Sequence, residues 1–166
     1  MLPKMLKPKR TKTPEQALAA LMRLAARSEK SSGDAMRLMQ NWGVEPSARC
    51  GVLQKLIDNK FIDDRRYAEA FVRDKMRFSG WGTFKLRAAL RNKGIAVEIV
   101  NEVLGGLDGG DMSERLRERL ERKMRTVKYA SRYELKTKLM RYGASLGYDF
   151  ESVAEVVDAL ISDVEE

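Results

Sequence analysis

"RNKGIAVEIV" (residues 91–100) ends one helical pattern and opens the next within a few residues. A basic helix end runs into Gly94, one apolar residue follows, and a new apolar rhythm starts. Glycine just past a helix takes the left-handed conformation without a Cβ penalty, so it is a natural stop. The same punctuation stands in "QNWGVEPSAR" (40–49) and "ASLGYDFESV" (144–153). Aligned on Gly43, Gly94 and Gly147, the spacings are 51 and 53 residues. The residue after each glycine is apolar: Val44, Ile95, Tyr148. Nine, ten and thirteen positions on come Val52, Leu53 and Leu56, then Val103, Leu104 and Leu107, then Val156, Val157 and Leu160. Every slot is apolar at helical spacing. Each glycine therefore ends the second helix of a three-helix unit, and the third helix follows at once.

The rest of the chain fits this plan. Pro14 sits at a first helical position, and Ala17, Leu18, Leu21, Met22 and Ala25 share a face. Serines cap "SSGDAMRLMQNWG" (31–43), and "EPSARCGVLQKLIDN" (45–59) follows it. Asp63 and Asp64 cap a helix whose inner face is Tyr67, Phe71 and Val72; Gly80 and Gly82 break it. Thr83 caps the next helix, which buries Leu86 and Leu90; Ile99, Val103, Leu104 and Leu107 line the one after. Leu116, Leu120 and Met124 point inward from a long charged helix, and two more helices complete the chain. Hairpin signals are missing. The expected fold is all-α: three tandem three-helix repeats forming an elongated, curved array, because units of about fifty residues have small cores and gain from stacking. The expected boundaries are a flexible basic tail at 1–13 and repeats at 14–60, 61–109 and 110–166.

Charge is lopsided. The 166 residues carry +8, but no Lys or Arg follows Arg141 and seven acids do, so residues 1–141 carry +15. Such a surface fits a polyanion, an acidic protein, or simply a solvated helical exterior. The lone Cys50 excludes an intrachain disulfide framework and fits a reducing cytoplasm. With no histidine and one cysteine, the usual general base and a thiolate metal site are lacking. Cys50 is expected to pack. Trp42 and Trp81 adjoin glycines at helix boundaries, where they either pack at a unit junction or stack on bases. No catalytic residue, cofactor or metal site is assigned.

Within the middle unit, "FIDDRRYAEAFVRDK" (61–75) and "GWGTFKLRAALRNKGI" (80–95) resemble the RecX family. Its pattern lies on Ile62, Asp63, Asp64, Arg66, Tyr67, Ala68, Phe71, Val72, Arg73, Gly80, Gly82, Lys85, Leu86, Leu90, Lys93, Gly94 and Ile95. "KLMRYGASLGYDFESV" (138–153) is also similar to the family, and the first unit matches in spacing. Thr83 departs from a common proline. Gly143 replaces a large apolar residue, at about 1 kcal/mol of helix propensity relative to alanine.

The resemblance implies a non-enzymatic, cytoplasmic bacterial protein that binds along the RecA–single-stranded-DNA filament. It implies restraint of strand exchange and ATP hydrolysis, in control of homologous recombination, DNA repair and the SOS response. The implied partners are the RecA filament and the strand within it, with naked DNA bound weakly; the apolar runs are too short to span a membrane, and the expected form is a monomer. A free-standing helical DNA-binding protein acting without recombinase is the alternative. Candidate contacts are Arg73, Lys75, Arg77, Lys85, Arg87, Arg91 and Lys93 in the middle unit, and Arg115, Arg119, Arg122, Lys123 and Arg125 in the third. Lys85, Arg87 and Arg91 lie beside the family's core positions and carry most weight. In the third unit, intervening Glu114, Glu118 and Glu121 offer intrahelix pairing instead.

Overall fold

The structure, a computed structural model, describes residues 10–164. Among them are nine α-helices: α1 (Pro14–Arg27), α2 (Ser32–Asn41), α3 (Pro46–Asp58), α4 (Asp64–Asp74), α5 (Thr83–Asn92), α6 (Val97–Gly105), α7 (Gly109–Thr126), α8 (Arg132–Ser145) and α9 (Phe150–Asp163). A π-helical turn, Lys75–Ser79, extends α4. The described residues hold no strand, so the all-α expectation stands. Most of the predicted tail, residues 1–9, lies outside the described residues. Its end is held in place: the Lys12 N–H donates to the Trp42 carbonyl at 2.9 Å, and Thr13 and Gln16 form a capping box around Pro14.

Contacts divide the chain into two compact units. One runs to Tyr67 and includes Lys93–Ile95; the other holds Ala68–Asn92 and everything from Ala96 on. The first is built on Ala17, Leu21, Ala35, Met39, Val44, Val52, Leu56 and Ile62, with Trp42 packed against this core. In the second, α7, α8 and α9 bury Leu116, Leu120, Leu139, Val153 and Val157 among themselves.

The three aligned glycines behave alike. Gly43, Gly94 and Gly147 have φ of 65°, 78° and 96°, and the apolar residue after each is buried. At Gly43 and Gly147 the helix end closes in the same way. The glycine N–H returns to the third residue back and the next N–H to the fifth, satisfying carbonyls the helix leaves open. Of the nine apolar slots, six are buried; Leu53, Val103 and Leu107 are half-buried.

Each unit contains a joint where the start of one helix meets a glycine turn far along the chain. In the first, the Ser31 hydroxyl donates to the Lys93 carbonyl at 3.5 Å, and Gly33 lies so close to that carbonyl that no Cβ would fit. Asp34 accepts the Lys93 ammonium at 3.3 Å. In the second, the Gly82 N–H donates to the Leu146 carbonyl at 2.7 Å and the Phe84 N–H to Gly147 at 3.0 Å. A Cβ on Gly82 would stand 2.6 Å from the Gly147 oxygen. The Gly-x-Gly spacing thus serves close backbone approach as well as helix breaking.

Several expectations need correction. Thr83 is the first helical residue of α5; the Leu86 N–H bonds the Gly82 carbonyl, so glycine occupies the cap. Met22 is exposed, because the buried seam of α1 runs through Ala17, Ala20 and Leu21. In α6 the buried pair is Val100 and Leu104, and Leu107 lies past the helix. Met124 is half-buried. Cys50 is exposed, so it does not pack in the core. Gly143 is buried, and a Cβ there would lie 2.5 Å from a Val153 methyl. Its cost in helix propensity secures the close crossing of α8 and α9. The capping aspartates divide their work: Asp63 accepts the Arg66 N–H at 3.0 Å, while Asp64 accepts the Ser32 N–H at 2.7 Å.

Candidate functional site

The segment joining α4 to α5 gathers cations and aromatic rings. Past Asp74 the helix widens into the π-helical turn, and Gly80 ends it with φ 69°. The Trp81 N–H folds back to the Lys75 carbonyl at 3.2 Å. This closure brings Trp81, half-buried, beneath two ammonium groups: Lys75 and Lys85 each lie 4.8 Å from its ring centroid. Phe71 meets the indole edge-on at 6.1 Å. The ring quadrupole attracts ammonium groups placed over its face in this way. Lys85 also donates to the Ser145 carbonyl at 3.3 Å. Trp81 is therefore a packed platform for two lysines.

Arg119 reaches over from α7 to the carbonyls that the wide turn leaves open, donating to Arg77 at 3.4 Å and Phe78 at 3.2 Å. Gly80 makes room for it, since a Cβ there would sit 2.6 Å from the Arg119 Nε. Phe78 and Phe84 stand exposed on this surface, and the Arg77 guanidinium rests 5.3 Å from the Phe78 ring.

The predicted contacts fall into two classes. Engaged cations include Lys75, Arg77, Lys85 and Arg119 as above. Arg87 donates to the Asn101 side chain at 2.6 Å, Lys93 pairs with Asp34, Arg115 pairs with Asp111 at 3.0 Å, and Lys123 lies 5.2 Å from the Tyr142 ring. Arg73, Arg91, Arg122 and Arg125 are exposed and have no side-chain partner among the described residues. The favoured set of three thus separates: Lys85 and Arg87 are held, and Arg91 is open. Arg115 pairs with an aspartate one turn back, and Glu121 takes Arg117 at 3.1 Å, a residue outside the predicted set.

Asp34 shows how the Lys93 joint is tuned. Burial opposes its charge, but the Ser31 N–H and the Lys93 ammonium together outweigh this and hold the carboxyl below its ordinary range. Burial pushes the Tyr148 hydroxyl up. A pocket of about 350 Å³ beside Tyr148 is lined by residues that include Leu104, Met112, Leu116, Asp149 and Glu155. It has no cation in its lining, which makes it a poor receptor for phosphate.

The model of the second three-helix domain of RecX matches residues 63–104, which span α4, the Gly-x-Gly turn, α5 and most of α6. A regulatory protein RecX of Mycobacterium sp. (strain KMS) is 31% identical over 147 residues, covering 86% of this chain and 80% of that relative. This chain belongs to the RecX family. The RecX protein of Chlorobaculum tepidum is 28% identical over 147 residues, with 89% of both chains covered. The crystal structure of RecX from Lactobacillus salivarius superposes with a TM-score of 0.80 at 18% identity, over 89% of this chain and 96% of that one. That likeness establishes the fold. RecX relatives bear the name of regulatory proteins, and the motif-bearing residues 63–95 build the Trp81 platform and supply one side of each joint, Lys93 in the first and Gly82 and Phe84 in the second.

Proposed function

We propose that this RecX-family chain modulates, and mainly inhibits, a RecA-type recombinase by binding along its filament on single-stranded DNA. The observation that carries this reading is the family membership, which extends over most of the chain. Three units, at 14–60, 61–109 and 110–166, meet a partner that is itself repetitive, and a tandem helical array offers a long side surface for that purpose. The protein performs no chemistry. It acts as a cytoplasmic monomer in the control of recombination and repair, and it binds naked DNA weakly.

The open arginines, Arg73, Arg91, Arg122 and Arg125, are the contacts to phosphates or to acids of the filament. Lys75 and Lys85 add charge at fixed positions on Trp81. The remaining predicted cations act mainly by holding the surface in shape. A cosedimentation assay over a salt series tests this, comparing RecA filaments on single-stranded DNA with the same DNA alone. Retention on filaments at salt concentrations that free naked DNA is expected. Equal retention on both would favour the other reading, a helical DNA-binding protein that works without recombinase.

A further inference from the structure

The end of α7 and its connection to α8 carry a second concentration of aromatic and cationic groups, which sets two tyrosines beside the predicted contacts Arg122, Lys123 and Arg125. Residues 122–132, "RKMRTVKYASR", contain five cations and no acid. Tyr129 is 47% exposed, and Tyr133, in the first turn of α8, is 81% exposed. The loop that bears them is firmly tied. The Lys138 ammonium donates to the Lys128 carbonyl at 2.6 Å, the Ala130 N–H donates to Glu134 at 2.9 Å, and the Ser131 hydroxyl accepts the Glu134 N–H at 3.1 Å. Two large rings thus project into solvent from a fixed backbone.

The surroundings identify the ligand chemistry. Glu134, the nearest acid on the C-terminal side, is neutralised by Lys138 at 2.8 Å. Arg122, Arg125 and Lys128 have no ion-pair partner among the described residues. The large aliphatic residues of the stretch, Met124 and Val127, are half-buried and Ala130 is small, so it lacks the open aliphatic centre of a protein interface. Exposed rings that follow unpaired cations suit a flexible polyanion with flat faces. Bases stack on the rings, and phosphates meet the ammonium and guanidinium groups.

We infer that Tyr129 and Tyr133 form a base-stacking site for single-stranded DNA, usable without recombinase. The choice of DNA over RNA rests on the proposed function; the stacking itself does not. The test titrates the full chain, at fixed salt, with a short oligothymidylate and with an abasic strand of equal length. The parent is expected to prefer the oligothymidylate. The double variant Y129A/Y133A should lose about tenfold to hundredfold in that affinity while keeping its affinity for the abasic strand. Y129F/Y133F, which retains the rings, should bind as the parent does. Equal binding of the two strands by the parent, or undiminished oligothymidylate binding by Y129A/Y133A, would overturn the site. Tighter binding of an oligouridylate would overturn the assignment to DNA. No recombinase is present, so failure here is distinct from failure of the filament reading.

Discussion

The joint at Ser31–Asp34 and the joint at Gly82–Lys85 perform one task with different chemistry. Each seats the beginning of one helix, α2 or α5, on the glycine turn that ends the helix three further along the chain, α5 or α8. The first uses side chains, with a buried serine hydroxyl on the Lys93 carbonyl and an Asp34–Lys93 ion pair. The second uses backbone, with two N–H groups of the α5 start bonded to Leu146 and Gly147. Only glycine allows that approach, because a Cβ on Gly147 would overlap the Lys85 side chain and backbone. The architecture therefore specifies a place of contact and leaves the type of bond free. The two joints should respond differently to mutation, salt and acid.

Gly147→Ala should have the largest effect. It forces alanine into φ 96° and drives a methyl into Lys85. A loss of about 3 kcal/mol is expected, seen as a fall of roughly 6–12 °C in the thermal midpoint with little dependence on salt. A midpoint unchanged from the parent would show that the backbone joint adds nothing.

Lys93→Ala should cost about 1 kcal/mol, since it leaves the half-buried Asp34 with only the more exposed Arg37, at 3.2 Å, as its cation. This joint should also be acid-sensitive. The Asp34 carboxyl lies below its ordinary value in the folded protein, so its contribution is full above about pH 4. It fades as acidity passes through the lower native value. Asp34→Asn should remove that part of the acid dependence, and Gly147→Ala should keep it. Urea midpoints measured through the acid range distinguish the two.

Gly143→Ala sharpens the same point on a smaller scale. Alanine gains about 1 kcal/mol of helix propensity but meets Val153, and overpacking costs about 1–3 kcal/mol. Net destabilisation of about 1 kcal/mol is expected from denaturant unfolding; net stabilisation would show that α9 yields easily. The smallest effect should come from Arg91→Ala combined with Arg122→Ala and Arg125→Ala. These exposed changes should each move stability by less than about 0.5 kcal/mol while weakening retention on filaments.

Local signals in the sequence located the helices well. Pro14, Ser31, Asp63 and the three glycines act within a few residues of themselves, and the structure uses each as a start or a stop. Helix phase was less legible. Val100, rather than Val103, faces inward on α6, because the register of a nine-residue helix depends on what it packs against. Partners distant in the chain were the hardest to see. Arg87 finds Asn101, Lys85 finds Ser145, and Arg119 finds the carbonyls of the π-helical turn. Composition counts all of these cations as equally available, and only tertiary placement separates the held from the open. Gly143 illustrates the same limit: its helix cost can be read locally, but its reason is a methyl ten residues on. Tyr129 and Tyr133 did have a local signal, two aromatics in an acid-free basic stretch. Their exposure on a tied loop is what gives that signal meaning.

The most direct measurement is ATP hydrolysis by a RecA-type recombinase on single-stranded DNA, with this protein added well below one copy per recombinase protomer. Strong suppression is expected, weakening when Arg73, Arg91, Arg122 and Arg125 are replaced together by alanine. Hydrolysis at the uninhibited rate, at matched salt and with the protein folded, would contradict it.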